Sequence, residues 1–149
     1  MRINPILVVD DDDALRDALV EALEVLPVEI TTATGGAEAV AMMAERRFAV
    51  VVTDLVMKDT DGFAVLGAAK ETYPNCRVVM LTGHGGREVA VQAMEQGATY
   101  YVEKPVDLAD LRAKVKKSLE DHDKDVAYDD LKGQICLLYT SPSPRDRSI

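Results

Sequence analysis

The chain has 149 residues, 48% of them hydrophobic, and a formal net charge of −9, which is enough apolar side chain for one globular domain with a proper core. It contains no run of ~18 apolar residues, so no helix is expected to span a membrane, and its acidic balance argues against a nucleic-acid surface in this domain. Only one Arg and a short apolar stretch precede Asp10, too little for a secretory leader, so the expected location is cytoplasmic.

Residues 6–9, Ile-Leu-Val-Val, form a continuous apolar run suited to a buried strand, and it stops at Asp10, Asp11, Asp12 and Asp13. From Ala14 the period changes, and Leu15, Ala18, Leu19, Ala22, Leu23 and Leu26 fall on one helix face. Asp13 is expected to cap this helix and Pro27 to stop it. Residues 29–33 read as a half-polar strand at a sheet edge. Thr34 is expected to cap a second helix, with Ala37, Val40, Ala41 and Ala44 as its apolar face. Residues 49–54, Ala-Val-Val-Val-Thr-Asp, read as a strand buried on both faces. That strand ends on a lone carboxylate, Asp54, and the following loop closes on the turn pair Asp61-Gly62.

Phe63, Leu66 and Ala69 mark a third helix that ends near Tyr73-Pro74. Residues 78–81 are a fourth strand running into Thr82-Gly83-His84-Gly85-Gly86. Val89, Ala90, Ala93 and Met94 line a fourth helix, and Gly97 falls where a left-handed residue is wanted after it. Residues 100–102 are a short fifth strand that ends at Glu103-Lys104-Pro105. Asp107 is expected to cap a last helix with Leu108, Leu111, Val115 and Leu119 inward. Strands alternating with helices at this spacing predict an α/β fold, (βα)5, with a parallel sheet covered on both faces and right-handed crossovers.

The stretch after residue 120 is read separately from the domain at residues 3–120. Residues 121–135 are charged and apolar-poor, a linker, an extended helix end or the truncated start of a further domain. Residues 136–149 read as the in-frame translation of a sequencing adapter, the alternative being a native Pro/Ser-rich linker. The two cysteines, Cys76 and Cys136, have neither a disulfide framework nor metal spacing.

Chemistry in an open parallel sheet collects outside the carboxyl ends of its strands. Those ends carry Asp10 and Asp11, then Asp54, Thr82 and Lys104. Two unpaired carboxylates ~4 Å apart repel by roughly 4 kcal/mol at an effective dielectric of 20, so such a cluster calls for a cation. All-oxygen ligands from few protein groups suit Mg²⁺, completed by water and phosphate oxygens. Lys104 offers a point charge and Thr82 a short donor to an anion. The set therefore reads as a metal-assisted phosphoryl acceptor with an Asp nucleophile.

Residues 3–120 resemble the receiver domain of two-component response regulators, most closely the nitrogen-regulation type. The resemblance is carried by Asp10-Asp11-Asp12 after the first strand, Thr53-Asp54, Met57, Asp61-Gly62, Leu81-Thr82-Gly83-His84-Gly85, Gly97-Ala98 and Lys104-Pro105. It implies a doubly wound, flavodoxin-like sheet of strand order 2-1-3-4-5, and a signalling module rather than an enzyme acting on other substrates. It implies that Asp54 takes a phosphoryl group from a partner histidine kinase or phosphotransfer protein. Asp11, Asp54 and the Val56 carbonyl would hold Mg²⁺, with Asp10 nearby through water. Thr82 and Lys104 would bind the phosphoryl group, Tyr101 would swing inward on activation, and the bond before Pro105 would be cis. An output domain or target protein, and a homodimer through the last helix and strand, belong to the same expectation.

Two departures stand out. Lys58 occupies a position where the family usually has Pro, and Val56 and His84 fill the two variable positions that influence aspartyl-phosphate hydrolysis. Apolar Val56 is expected to slow water attack, and a lone His84 without an imidazole or soft partner is not expected to ligate metal. The alternative is a haloacid-dehalogenase-type phosphohydrolase using Asp10, but Ala14 stands where its signature needs Thr. A nucleotide or flavin binder would need a glycine fingerprint that residues 83–88 do not complete. A phosphate-independent docking module would leave the strand-end residues without a role.

Overall fold

The computed structural model describes residues 4–83 and 86–138. Five strands and five helices alternate: β1 (Asn4–Val9), α1 (Asp13–Leu23), β2 (Val28–Ala33), α2 (Gly36–Glu45), β3 (Val50–Asp54), α3 (Gly62–Thr72), β4 (Arg77–Thr82), α4 (Gly86–Glu95), β5 (Tyr100–Glu103) and α5 (Leu108–Leu138). All the strands are parallel, in the order β2-β1-β3-β4-β5. The half-polar β2 is an edge, and the all-buried β3 lies at the centre. The predicted α/β class and strand order are those observed.

Alternation along the strands divides the core into two layers. Leu7, Val9, Val51, Val78 and Met80 face one side and pack with Ala39, Met43, Val65, Leu66, Ala69 and Ala93 from α2, α3 and α4. Ile6, Val8, Val50, Val52, Val79 and Leu81 face the other and pack with Leu19 and Leu23 of α1 and Leu111, Val115 and Leu119 of α5. Each central strand is thus apolar on both faces because each face meets a helix.

Several local readings are corrected. Asp12, one residue before the expected Asp13, caps α1 by accepting from the amides of Ala14 and Leu15 at 3.0 and 3.3 Å. In α2 the expected face is the solvent face: Ala37, Val40, Ala41 and Ala44 are exposed, while Gly36, Ala39 and Met43 are buried. Alanine marks no face by itself, and Met43 decides the orientation by filling the layer against α3. Met94, read as inward on α4, is 49% exposed, and Ala93 holds the buried position. Asp107 does cap α5, accepting from Ala109 and Asp110, and Gly97 takes the left-handed conformation at φ 104°.

The charged stretch after residue 120 continues α5 as helix. Buried His122 meets the Tyr73 hydroxyl at 2.8 Å, Asp123 accepts from the Asn4 amide at 3.1 Å, and Asp125 pairs with Arg77. These contacts seat the extension against the amino-terminal end of the sheet, opposite Asp54. His84 and residues 139–149, most of the segment read as adapter-derived, lie outside the described residues.

Candidate functional site

Four loops meet at the carboxyl end of the sheet because parallel pairing puts every strand's last residue there. The chain leaves β1 at Asp10, whose amide donates to the Ala33 carbonyl at 3.2 Å and keeps β1 and β2 in register to their ends. Leu55 donates to Leu81 at 2.8 Å and Lys104 donates to Thr82 at 2.7 Å. These bonds align the ends of β3, β4 and β5 and bring Asp54, Thr82 and Lys104 together.

Asp10, Asp11 and Asp54 converge, with one carboxylate oxygen from each lying within 4.8 Å of the others. Asp10 is fully buried and Asp54 is 4% exposed. The Lys104 ammonium donates to Asp54 Oδ2 at 3.0 Å. Asp10 Oδ1 accepts the Asp12 amide at 2.8 Å, whereas its Oδ2 is buried with no hydrogen-bond partner. Loss of solvent pushes the Asp10 carboxyl above its ordinary value; the Asp12 amide opposes this, and the charges of Asp54 and Asp11 add to it.

A buried carboxylate oxygen with no donor costs about 1–3 kcal/mol and more when charged, so its persistence calls for an explanation. A hard cation supplies one. The donors are all oxygen and close together, which fits Mg²⁺, an ion that keeps water and phosphate oxygens among its ligands.

The remaining predicted residues fall around this centre. Thr82 ends β4 and is buried. Val56 lies in the loop two residues past Asp54, with its side chain 69% exposed. The Lys104–Pro105 peptide is cis. Tyr101 is not drawn into the cluster: its hydroxyl donates to Glu103 Oε1 at 3.0 Å on the solvent side. Desolvation, then that hydrogen bond and the Glu103 charge, push the hydroxyl's pKa up.

Two contacts escaped the sequence reading. The Lys58 amide donates to Asp11 Oδ2 at 2.9 Å. The next residue, Asp59, reaches across to α2 and accepts from the Gly36 and Ala37 amides at 3.1 and 2.9 Å. It does the capping expected of Thr34, whose own amide and hydroxyl instead donate to Glu38. The available signal was the pair Gly35-Gly36: a Cβ on Gly35 would lie 2.8 Å from Asp59 Oδ1, so the pair marks a close approach.

Comparison with known proteins agrees with this arrangement. The family described as response regulator receiver domain matches residues 6–116. The photosynthetic apparatus regulatory protein RegA of Cereibacter sphaeroides is 39% identical over 102 residues, which cover 68% of this chain and 55% of RegA. The DNA-binding transcriptional regulator NtrC of Escherichia coli K12 is 35% identical over 112 residues, covering 75% of this chain and 24% of NtrC. The chain therefore spans about half of one relative and a quarter of the other. A solved CheY-like receiver domain protein from Methanospirillum hungatei superimposes with a TM-score of 0.78 at 31% identity, covering 83% of this chain and 99% of that one. These likenesses leave the phosphohydrolase reading of Asp10 without support.

Proposed function

This chain belongs to the response regulator receiver domain family, and from that premise we propose that Asp54 is its phosphoacceptor, working with Mg²⁺ held by Asp11, Asp54 and the Val56 carbonyl, with Asp10 nearby. The observation that carries the reading is the Lys104–Asp54 contact at 3.0 Å beside two further carboxylates, one with an orphaned buried oxygen. A nucleophilic carboxylate, a cation site and a fixed ammonium are the parts that phosphoryl transfer requires.

An Asp54 oxygen attacks the phosphorus of a phosphohistidine on a partner kinase or phosphotransfer protein. The P–N bond breaks and the donor imidazole leaves with its electron pair. Asp11, Asp54 and the Val56 carbonyl would hold Mg²⁺, which when bound would supply positive charge to the transferring phosphoryl oxygens. Lys104 and Thr82 flank the product and hold those oxygens by charge and by a hydroxyl donor.

The product adds about two negative charges beside Lys104 and Thr82, and so favours the conformer in which those donors close in. Tyr101, on the neighbouring strand with its hydroxyl on Glu103, would report that change to the α4–β5–α5 face. Moving a 1:99 population to 99:1 takes ~5.5 kcal/mol of differential interaction, within reach of a charged group making several bonds. The reader of that face would be an output domain or target protein, with a homodimer through the same face, in the cytoplasm. The receiver unit would occupy residues 3–120, leading through 121–135 towards that output, and 136–149 would be adapter-derived. Among the described residues no helix is long and apolar enough to cross a membrane.

The test is transfer from an autophosphorylated histidine kinase carrying radiolabelled phosphohistidine. Label passing to this chain only with Mg²⁺ present supports the reading, and label retained by a panel of such kinases and by free phosphotransfer domains contradicts it.

A further inference from the structure

Each carboxylate of the cluster is held by one donor from a different part of the chain. The Asp12 amide holds Asp10 at 2.8 Å, the Lys104 ammonium holds Asp54 at 3.0 Å, and the Lys58 amide holds Asp11 at 2.9 Å. The third, like the first, is a main-chain N–H, but it reaches in from a loop 47 residues away, at a position where proline would have none. It is also braced, because Asp59 fastens the same loop to the first amides of α2.

We propose that Lys58 is a positioning residue, whose main-chain N–H keeps the Asp11 carboxylate in the cation site before any cation arrives, with Asp59 aiming that N–H. Asp11 is less buried than Asp10 or Asp54 and sits in a loop with solvent beside it. Repulsion from the other two carboxylates favours rotation of its side chain out into water. The 2.9 Å amide contact opposes that rotation. A donor that orients a ligating carboxylate raises metal affinity without touching the metal. The Lys58 side chain acts oppositely, since its positive charge near the site disfavours a cation. The residue's two halves therefore have separable effects.

This inference rests on the cation site proposed above, and full-length ¹⁵N-labelled protein separates the two. Mg²⁺ affinity is measured by titration calorimetry for wild type, Lys58→Gln, Lys58→Pro and Asp59→Ala, and the Lys58 amide resonance is followed without cation. Lys58→Gln keeps the N–H and is expected to bind at least as tightly as wild type. Lys58→Pro is expected to bind about tenfold more weakly than Lys58→Gln, and Asp59→Ala to weaken binding in the same direction. The Lys58 amide proton is expected to move upfield in Asp11→Ala. Equal affinities for the Gln and Pro variants, or an unmoved Lys58 resonance in Asp11→Ala, overturn the inference. Should Lys58→Pro not fold, Asp59→Ala binding as tightly as wild type overturns it instead. Absence of Mg²⁺ binding by wild type overturns the parent reading.

Discussion

Gly62 lies directly against the backbone of Asp54: a Cβ at position 62 would sit 2.6 Å from the Asp54 carbonyl oxygen and 2.9 Å from Leu55 Cα. The Gly62 amide donates to the Leu55 carbonyl at 2.7 Å, so the start of α3 is clamped onto the end of β3. The loop carrying Val56 and Lys58 is closed by this contact, and it closes only without a side chain.

Gly62→Ala must therefore push α3 away from the strand end that presents Asp54. A loss of about 1–3 kcal/mol is expected from overpacking against backbone, together with slower phosphoryl uptake. Gly67 supplies the control on the same helix, because a Cβ there meets nothing within 4 Å. Gly67→Ala is expected to stabilise by roughly 0.5–1 kcal/mol through helix propensity alone. Urea denaturation of both variants checks the pair, and equal effects would contradict the packing argument.

Asp10 is a buried carboxyl with one oxygen unpartnered. Its carboxyl is raised above the ordinary value of 3.8, so its contribution to stability is present below that pH and lost as pH rises through the folded-state value. Above that range the buried carboxyl works against the fold. Asp10→Asn is accordingly expected to raise stability in EDTA by about 1 kcal/mol and to shrink any stabilisation on adding Mg²⁺. Thermal melts with and without Mg²⁺ test this, and an Asn variant that melts lower than wild type in EDTA would count against it.

Asp59 has the opposite sign. The Ala37 amide, ahead of the Gly36 amide, holds its carboxyl below the ordinary value of 3.8. Its stabilising contribution is therefore present above that pH and lost as pH falls through the folded-state value. Wild type is expected to melt above Asp59→Asn at neutral pH, with the gap narrowing once the pH drops under 3.8. A gap that stays constant into acid would mean that the charge at α2 is not what matters.

The different fates of these residues show what a single sequence exposes. The strand-end cluster was legible because parallel strands fix which residues share an edge, so Asp10, Asp54, Thr82 and Lys104 needed no side-chain detail. The face of α2 was not, because four alanine and valine positions offered a stripe as apolar as the one that Met43 anchors. The cap of α1 differs by one residue because Asp12 and Asp13 are chemically identical, and only backbone geometry separates them. The contacts of Lys58 and Asp59 were missed for a further reason. The Lys58 contact uses a main-chain amide that any residue but proline carries, and both contacts join segments far apart in sequence.

The central claim is that Asp54 is the nucleophile of a cation-dependent phosphoacceptor site. Intact mass after incubation with acetyl phosphate and Mg²⁺, on the full chain and on Asp54→Ala, tests it most directly. A single labile phosphoryl adduct on the wild type, absent from Asp54→Ala and absent in EDTA, is the predicted result. A folded wild-type protein that takes up no phosphoryl group, or an adduct that survives Asp54→Ala, would contradict the assignment.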